Sequence, residues 1–287
     1  MTPLVLVARG IARLPQRGLL WLASLLSLLL WPALASRRRV TAINLALCFP
    51  ELSAAGRRRL LRANQRTTVM GALELLRAWY APSSALARFA RIEGLPRLQA
   101  ALATGQGVLL FTGHFTHTEL AVRLLSEALG RPVRVVIRRH NSACVEATFE
   151  QARTRVFGPT LAKKDVRGLL RTLQAGEPVV YSADQNFTYQ HAFVPFFGVS
   201  AATLTSTPEL VRRGKAQMLP FWFHRDPDGR YCLRIEAAWP EWVGASPEQA
   251  AAIYMRELEA VVRQHPEQYL WVHRRFKTRP PGSPAVY

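Results

Sequence analysis

One histidine and one acid have a spacing that could support chemistry on a hydroxyl group. His114 follows the apolar run 107–112 on a glycine-containing turn, and Glu119 comes five positions later, where an amphipathic segment begins. A histidine held by a carboxylate is a general base that can remove a proton from a hydroxyl. Because the chain has no nucleophile at a matching position, we expect this base to activate a hydroxyl of the substrate, which is the chemistry of an acyl transfer.

Other interpretations of the same residues stay open at this point. The four residues from Thr116 to Glu119 match a capping box, in which Glu119 would satisfy a backbone N–H at a helix start, and His114 could be a satisfied polar residue in its turn. A zinc site through His114, His117 and Glu119 fits no zinc-protease pattern, and the cysteines are too scattered to complete one. A serine hydrolase needs a G-x-S-x-G elbow, and the nearest match, at Ser200, lacks the final glycine.

Charged residues also follow two other candidate strands. Arg138 comes directly after the apolar run 133–137, and Asp184 follows the run 178–182. Because the carboxyl ends of parallel strands lie at one edge of a sheet, His114, Arg138 and Asp184 can converge there. Arg153 falls on the next predicted helix, and arginine suits the recognition of phosphate groups.

The pattern of apolar residues changes from helical to alternating strands and helices after about residue 90. We predict strands at 107–112, 133–137, 178–182, 218–224 and 231–237, and helices at 116–129, 142–157, 164–175, 205–213 and 247–265. The sequence Asp226-Pro-Asp-Gly229 is a strong hairpin signal between the last two strands. This order predicts an α/β fold with a mostly parallel sheet, flanked by helices, and an antiparallel edge.

The N-terminal region contains a long apolar segment. Residues 19–35 are apolar apart from two serines, arginines flank them on both sides, and Trp21 and Trp31 lie near the two ends. A run of this length is at the lower limit for crossing a bilayer core of about 30 Å. We predict a membrane anchor in residues 1–39 that either spans the bilayer or lies in its interface. A cleavable signal peptide is disfavoured by the arginines at 37–39, and a buried N-terminal helix is the remaining alternative.

Composition limits the partners of the chain. The 287 residues carry a formal net charge of +19, almost all of the cations being arginine. Such a charge favours an acidic partner, which could be nucleic acid, anionic lipid or an acidic protein. No nucleic-acid-binding motif is present, and the arginines are interleaved with apolar strands rather than gathered on one helix. The three scattered cysteines fit a reducing compartment.

Several motifs together closely resemble one family along essentially the whole chain. They are the G-H-F-x-x-x-E block at 113–119, the V-P-F-F block at 194–197, the P-D-G turn at 227–229 and W-V-H-R-R-F-K-T-R-P at 271–280. These motifs resemble the late acyltransferases of bacterial lipid A biosynthesis, of the lauroyl and myristoyl type. The spacing H-x-x-x-x-[DE] is also the signature of glycerolipid-type acyltransferases. The residues next to Arg138 and Asp184 differ from those usual in this family, but Arg138 and Asp184 themselves match its pattern.

The resemblance implies a glycerolipid-acyltransferase-like fold, with an anchor at 1–39 and an acyltransferase domain at 40–287 that comprises a helical lead-in to residue 90 and an α/β core from 91. In such a family His114 and Glu119 would form the catalytic dyad. Arg138, Arg153 and Asp184 would bind substrate, with Arg138 on its phosphate side. The basic run from His273 to Lys277 is a further candidate contributor, with a solvated or lipid-facing surface as the alternative.

The resemblance further implies transfer of a fatty acyl group from acyl carrier protein to a hydroxyl of a 3-hydroxyacyl chain on a lipid A precursor. No metal or dissociable cofactor is expected, because the phosphopantetheine arrives with the donor. The expected partners are acyl carrier protein, the lipid A precursor and inner-membrane lipids, without nucleic acid. The expected location is the bacterial inner membrane with the catalytic domain on its cytoplasmic face. An acyltransferase for another membrane lipid, or a non-catalytic lipid- or nucleic-acid-binding protein, are the alternatives.

Overall fold

The computed structural model describes residues 3–86, 89–137 and 142–287. A helical N-terminal part precedes an α/β part. The helices are α1 (Pro3–Ala12), α2 (Gln16–Leu29), α3 (Ala35–Cys48), α4 (Ala54–Tyr80), α5 (Ser83–Leu86), α6 (Leu95–Ala103), α7 (Thr118–Leu129), α8 (Ala143–Phe157), α9 (Val166–Gln174), α10 (Thr207–Arg213) and α11 (Pro247–Gln264). The strands are β1 (Ala90–Glu93), β2 (Val108–Thr112), β3 (Arg134–Ile137), β4 (Leu161–Ala162), β5 (Pro178–Ser182), β6 (His191–Phe196), β7 (Val199–Leu204), β8 (Gln217–Arg225) and β9 (Tyr231–Ile235).

A seven-stranded sheet in the order β1-β9-β8-β2-β5-β3-β4 forms the centre of the α/β part. Strands β8 and β9 are antiparallel, while β1 runs parallel to β9, and the pairs from β8 through β2, β5 and β3 to β4 are parallel. Every residue of β2 is buried, as expected for a central parallel strand that is covered on both faces. The predicted mostly parallel sheet with an antiparallel edge is therefore confirmed, as is the hairpin turn between β8 and β9.

The sequence pattern missed three pieces of β-structure. Strands β1 and β4 have only four and two residues, too few to produce a periodic signal. Strands β6 and β7 form a separate antiparallel hairpin whose turn contains Phe197 and Gly198, with φ angles of 53° and 72°. This turn lacks the Asn-Gly or Asp-Gly signal that usually marks a hairpin. Ser200 pairs with Pro195 inside this hairpin, so it does not occupy the strand-to-helix elbow of a serine hydrolase.

The apolar N-terminal segment does not form a single helix. Helix α2 ends at Leu29, a turn follows, and α3 begins at Ala35. Within residues 3–86, 89–137 and 142–287, no helix combines the length and the apolar character needed to cross a membrane. One face of α2, with Leu19 and Ala23, packs against Met70 and Leu73 of α4. The predicted anchor is therefore not confirmed in its spanning form, and membrane attachment stays a prediction.

Helix α4 contacts the loop that follows β2, at the sheet edge where functional residues were expected. Ser53 caps its first turn by accepting a hydrogen bond from the backbone N–H of Gly56 at 3.1 Å. Near its middle, Gly71 approaches the carbonyl of Thr116 so closely that a Cβ atom would lie 2.1 Å from that oxygen. Because only glycine permits this approach, α4 fixes the position of the loop that follows β2.

Candidate active site

The loop after β2 is fixed by backbone hydrogen bonds to a segment near the C-terminus. The N–H of Leu270 donates to the carbonyl of His114 at 2.9 Å, and the N–H of Thr116 donates to the carbonyl of Gln268 at 2.9 Å. Phe115 and Tyr269 therefore pair as one rung of an antiparallel ladder. This pairing holds the main chain of His114 rigidly and brings the C-terminal motif to the same place.

His114 is bound by Asp184, which lies after the neighbouring strand. Because β2 and β5 pair in parallel with Thr112 opposite Ser182, the residues that follow them meet. Oδ1 of Asp184 lies 2.5 Å from Nδ1 of His114, and Oδ2 accepts from the backbone N–H of His114 at 2.9 Å. The hydroxyl of Tyr269 donates to the same Oδ2 at 2.8 Å.

This arrangement separates an accessible base from a buried acid. The side chain of His114 is 35% exposed, whereas that of Asp184 is 1% exposed. Burial by itself would raise the pKa of Asp184, but the His114 ring and the hydrogen bonds from His114 and Tyr269 outweigh it and hold that pKa well below its usual range. Asp184 is thus a carboxylate that binds Nδ1, which leaves Nε2 of His114 as the nitrogen that can accept a proton.

Glu119 does not pair with His114, in contrast to the expectation from the spacing. Its Oε1 accepts from Nε and Nη2 of Arg153 at 3.0 and 2.7 Å, and its Oε2 accepts from the indole of Trp79 at 2.7 Å. The reason is geometric, because α7 begins at Thr118 and its first turn directs Glu119 toward α4 and α8. In the structure Asp184, and not Glu119, contacts the imidazole of His114, and the catalytic role of Glu119 stays a prediction.

The capping-box interpretation of Glu119 is wrong. The residue at the N-cap of α7 is His117, and its side chain makes no capping hydrogen bond. The hydroxyl of Thr118 donates instead to the carbonyl of Phe115 at 2.8 Å. Glu119 is therefore committed to its contacts with Trp79 and Arg153, beside the cavity that His114 also lines.

Of the two arginines predicted to bind substrate, the structure describes only Arg153. The guanidinium of Arg153 pairs with Glu119 and lies 5.4 Å from the ring centroids of both Trp79 and Phe149. It reaches the same cavity as His114, which keeps it available as a positively charged part of the wall. Arg138 lies outside the described residues.

A cavity of about 840 Å³ opens beside the His114–Asp184 pair. Its polar part includes His114, Glu119, Arg153 and His273. The rest of the wall combines aliphatic side chains with further polar and aromatic ones such as Lys163, Glu209 and Tyr189. The aliphatic residues include Val135, Val180, Leu169, Leu170, Leu204 and Leu210. Its volume falls in the range of about 300–1,000 Å³ that is usual for ligand sites. A cavity that contains both a base and many aliphatic side chains suits a ligand with a polar reacting group and a hydrocarbon chain.

His117 is a structural residue. It is buried and lies against the rings of Phe223 and Tyr231, with centroids 5.3 and 5.7 Å away. Burial lowers the pKa of His117 to about 3, although the neighbouring Glu74 opposes this effect. Glu74 is itself buried and accepts hydrogen bonds from Arg225 and Tyr231. Within the part of the chain that the structure describes, no group of three or more His, Cys, Asp or Glu side chains could hold a metal ion.

Two residues at the site, Trp79 of α4 and Tyr269 of the C-terminal segment, were not predicted from the sequence. His273 was included only as a member of the basic run 273–277. The W-V-H-R-R-F motif was the available signal, but basic residues near a terminus are more often solvated. Arg275 of this motif is in fact buried and donates to the carbonyl of Ala202 at 2.8 Å.

The fold and the site define an acyltransferase. The chain belongs to the bacterial lipid A biosynthesis acyltransferase family, whose model matches residues 4–278. It is 34% identical to the lipid A biosynthesis palmitoleoyltransferase of Escherichia coli strain K12 over 280 residues, which cover 96% of this chain and 90% of that protein.

Two further relatives give the same picture. The lipid A biosynthesis lauroyltransferase of Escherichia coli strain K12 is 34% identical over 258 residues, covering 88% of this chain and 82% of that protein. A lipid A biosynthesis acyltransferase of Haemophilus influenzae is 31% identical over 257 residues, covering 88% and 81%. The enzyme class that was expected from the motifs is therefore confirmed.

Proposed function

We propose that this acyltransferase moves a fatty acyl group from acyl carrier protein to a hydroxyl of a 3-hydroxyacyl chain on a lipid A precursor. The observation that carries the proposal is the contact between His114 and Asp184 at the edge of a cavity with an aliphatic wall. Family membership supports acyl transfer in lipid A biosynthesis. The names of the relatives include palmitoleoyl and lauroyl transfer, both of which require a site for a long hydrocarbon chain.

The reaction needs one base and no covalent enzyme intermediate. Nε2 of His114 takes the proton of the acceptor hydroxyl, and the alkoxide oxygen attacks the carbonyl carbon of the donor thioester. The tetrahedral intermediate then breaks its C–S bond, the thiolate of the phosphopantetheine leaves, and the imidazolium returns the proton to that sulfur. Asp184 stays ionised throughout and stabilises the imidazolium, as the acid does in other histidine–carboxylate pairs.

The aliphatic wall of the cavity would receive the acyl chain, and the arginines would recognise the phosphates of the acceptor. Arg153 is the described candidate, since its guanidinium is oriented by Glu119 at the cavity wall. Arg138 is proposed for the same role from its sequence position alone. Acyl carrier protein is acidic, so the net charge of +19 favours its association with this enzyme. The chemistry described requires neither a metal ion nor a dissociable cofactor.

The proposed location is the cytoplasmic face of the bacterial inner membrane, where the carrier-protein donor is found. Support comes from the outward face of α1 and α2, which exposes large apolar side chains. Trp21 is 75% exposed and Leu28 is 72% exposed. Several arginines lie on the same helices or directly after them. An apolar face bordered by cations is typical of helices that lie in a membrane interface, so we favour this form of attachment over a spanning helix.

Transfer with purified components tests the proposed function. The full chain in detergent is incubated with acyl carrier proteins that bear different acyl groups and with a lipid A precursor that carries 3-hydroxyacyl chains. The product is analysed by mass spectrometry. We expect the acceptor to gain the mass of one acyl group on an existing 3-hydroxyacyl chain, as located by fragmentation, and His114→Ala to abolish the gain. Acylation of a glycerophospholipid instead would support the alternative acceptor and overturn the proposed one.

A further inference from the structure

His273 is held firmly in the wall of the cavity that contains the base. The side-chain amide of Asn44 donates to the carbonyl of His273 at 2.8 Å and to that of Trp271 at 2.7 Å. Two residues upstream of Trp271, the chain is paired with the loop of His114. His273 lines the large cavity, together with His114, and also a small adjoining one that includes Asp184.

The hydrogen bonding of the ring determines its tautomer. The backbone N–H of Asn186 donates to Nε2 of His273 at 3.0 Å. A backbone N–H can only donate, so Nε2 must present its lone pair. Asn186 is fixed in turn, because its side chain forms two hydrogen bonds with Thr278, at 2.9 and 2.8 Å. In the neutral ring the proton is therefore on Nδ1.

The surroundings of the His273 ring favour its neutral form. Burial lowers the pKa of His273 to about 4, and although Asp184 opposes this, His114, Arg275 and Lys163 add to the lowering. Among the described residues, none accepts a hydrogen bond from Nδ1 of His273. Within the described part of the chain, the site thus contains a preoriented N–H donor without a protein acceptor.

We propose that His273 donates its Nδ1–H to the oxygen of the thioester carbonyl as that oxygen gains negative charge in the tetrahedral intermediate. This inference rests on the proposed acyl transfer. The two histidines then have separate tasks. His114, with Nδ1 bound to Asp184, takes the proton, whereas His273, with Nε2 bound to Asn186, supplies a hydrogen bond and keeps its proton. A neutral imidazole suits this task because it donates a hydrogen bond to the oxyanion and places no positive charge beside His114, which must accept a proton.

Two isosteric substitutions separate donation by His273 from structural support. The amide nitrogen of asparagine can occupy the position of Nδ1, and the amide oxygen of glutamine can occupy that of Nε2. We expect His273→Gln to keep the contact with Asn186 and to lose the donor, so that kcat falls about 10²–10³-fold while KM for both substrates changes little. His273→Asn loses the contact with Asn186 but keeps a donor, and we expect its kcat to stay within about tenfold of the wild-type value.

His265→Gln is the matched control, because His265 is stacked on His224 with ring centroids 4.1 Å apart and does not line the cavity. We expect it to leave kcat unchanged. Equal losses in the two His273 variants, or a more active glutamine variant, would overturn the donor role. A change confined to KM would overturn it as well.

A measurement without substrate keeps this inference separate from the proposed function. Nitrogen-15 chemical shifts of the imidazoles in the unliganded full chain should show His273 as the neutral Nδ1–H tautomer from pH 6 to 8. A ring protonated on Nε2, or one that titrates in this range, would refute the assignment even if the enzyme is active. Absence of acyl transfer by the wild-type chain, with the tautomer as expected, would refute the proposed reaction instead.

Discussion

Replacement of Asp184 by asparagine should reverse the tautomer of His114. Oδ2 of Asp184 accepts from the backbone N–H of His114 at 2.9 Å and from the hydroxyl of Tyr269 at 2.8 Å. In Asp184→Asn the amide oxygen must take this position, because the backbone N–H needs an acceptor. The amide nitrogen then faces Nδ1 of His114 and donates to it, so the proton of the neutral ring moves to Nε2 and blocks the base.

The loss should be large in rate and small in stability. A histidine with the wrong tautomer lowers kcat about 10⁴-fold in a comparable pair, which corresponds to about 5.4 kcal/mol of transition-state stabilisation. Removal of a general base alone costs about 10²–10⁴-fold, so we expect a loss of about 10³–10⁴-fold. Because asparagine retains acceptors for His114 and Tyr269, the melting temperature should change little.

The assay compares kcat, from mass-spectrometric transfer measurements, with the melting temperature of each variant. Asp165→Asn is the matched control, since Asp165 accepts from the backbone N–H of Gly168 at 2.8 Å at the start of α9, and asparagine caps a helix equally well. A kcat for Asp184→Asn within tenfold of the wild-type value would refute the reasoning. Unchanged nitrogen-15 shifts of His114 would refute it independently of activity.

The remaining predictions concern the second acid, acid stability and membrane contact. Glu119 and Arg153 share two hydrogen bonds, so Glu119→Gln and Arg153→Lys should each impair transfer when the lipid acceptor is varied at saturating donor. The double variant should be no worse than the poorer single variant, because both changes break the same contact. Additive losses would contradict this. The pKa of His117 lies at about 3 in the folded chain, below the ordinary value of about 6.5, so the unfolded chain binds the extra proton as pH falls through 6.5. The free energy of unfolding should therefore decrease by about 2 kcal/mol from pH 7 to pH 5 through this residue, and urea titrations of His117→Asn should show a correspondingly weaker pH dependence. Trp21→Glu should lower partitioning of the protein into anionic vesicles about tenfold or more. Val243→Glu, which changes a 77% exposed apolar residue outside α2, should not lower it. Equal partitioning of both variants would exclude attachment through α2.

The central sheet could be predicted because its strands have a strong sequence signal. Strands β2 and β5 are continuous apolar runs that end in a polar or charged residue, and such runs indicate buried parallel strands. Their adjacency then brings His114 and Asp184 to one edge, as predicted from the strand ends. Strands β1 and β4 were missed because they are too short to show a pattern of their own and become strands by pairing with β9 and β3. The extent of the apolar N-terminal run was visible in the sequence, but its break between Leu29 and Ala35 was not.

The partner of His114 illustrates what spacing alone does not determine. A carboxylate five residues after a histidine can reach back to it only if the intervening loop leaves the acid pointing that way. Here α7 starts one residue before Glu119, and the helical direction sends that side chain toward Trp79 and Arg153. Asp184, which lies 70 positions away, reaches the imidazole because strand order places it there. The acid that pairs with His114 is therefore determined by strand order, which the spacing along the chain does not show.

The C-terminal motif belongs to the active site through the same kind of long-range contact. Its aromatic and basic residues read as a solvated or lipid-facing terminus, yet Trp271 and Arg275 are almost completely buried. Asn44 of α3 binds the main chain of this segment, and Asn64 of α4 donates to the carbonyl of Tyr269 at 2.8 Å. Two helices from the N-terminal part thus hold the segment that supplies Tyr269 to Asp184 and His273 to the cavity. Substitution of Asn44 or Asn64 should therefore disturb the position of the His114 imidazole through this segment rather than through a direct contact.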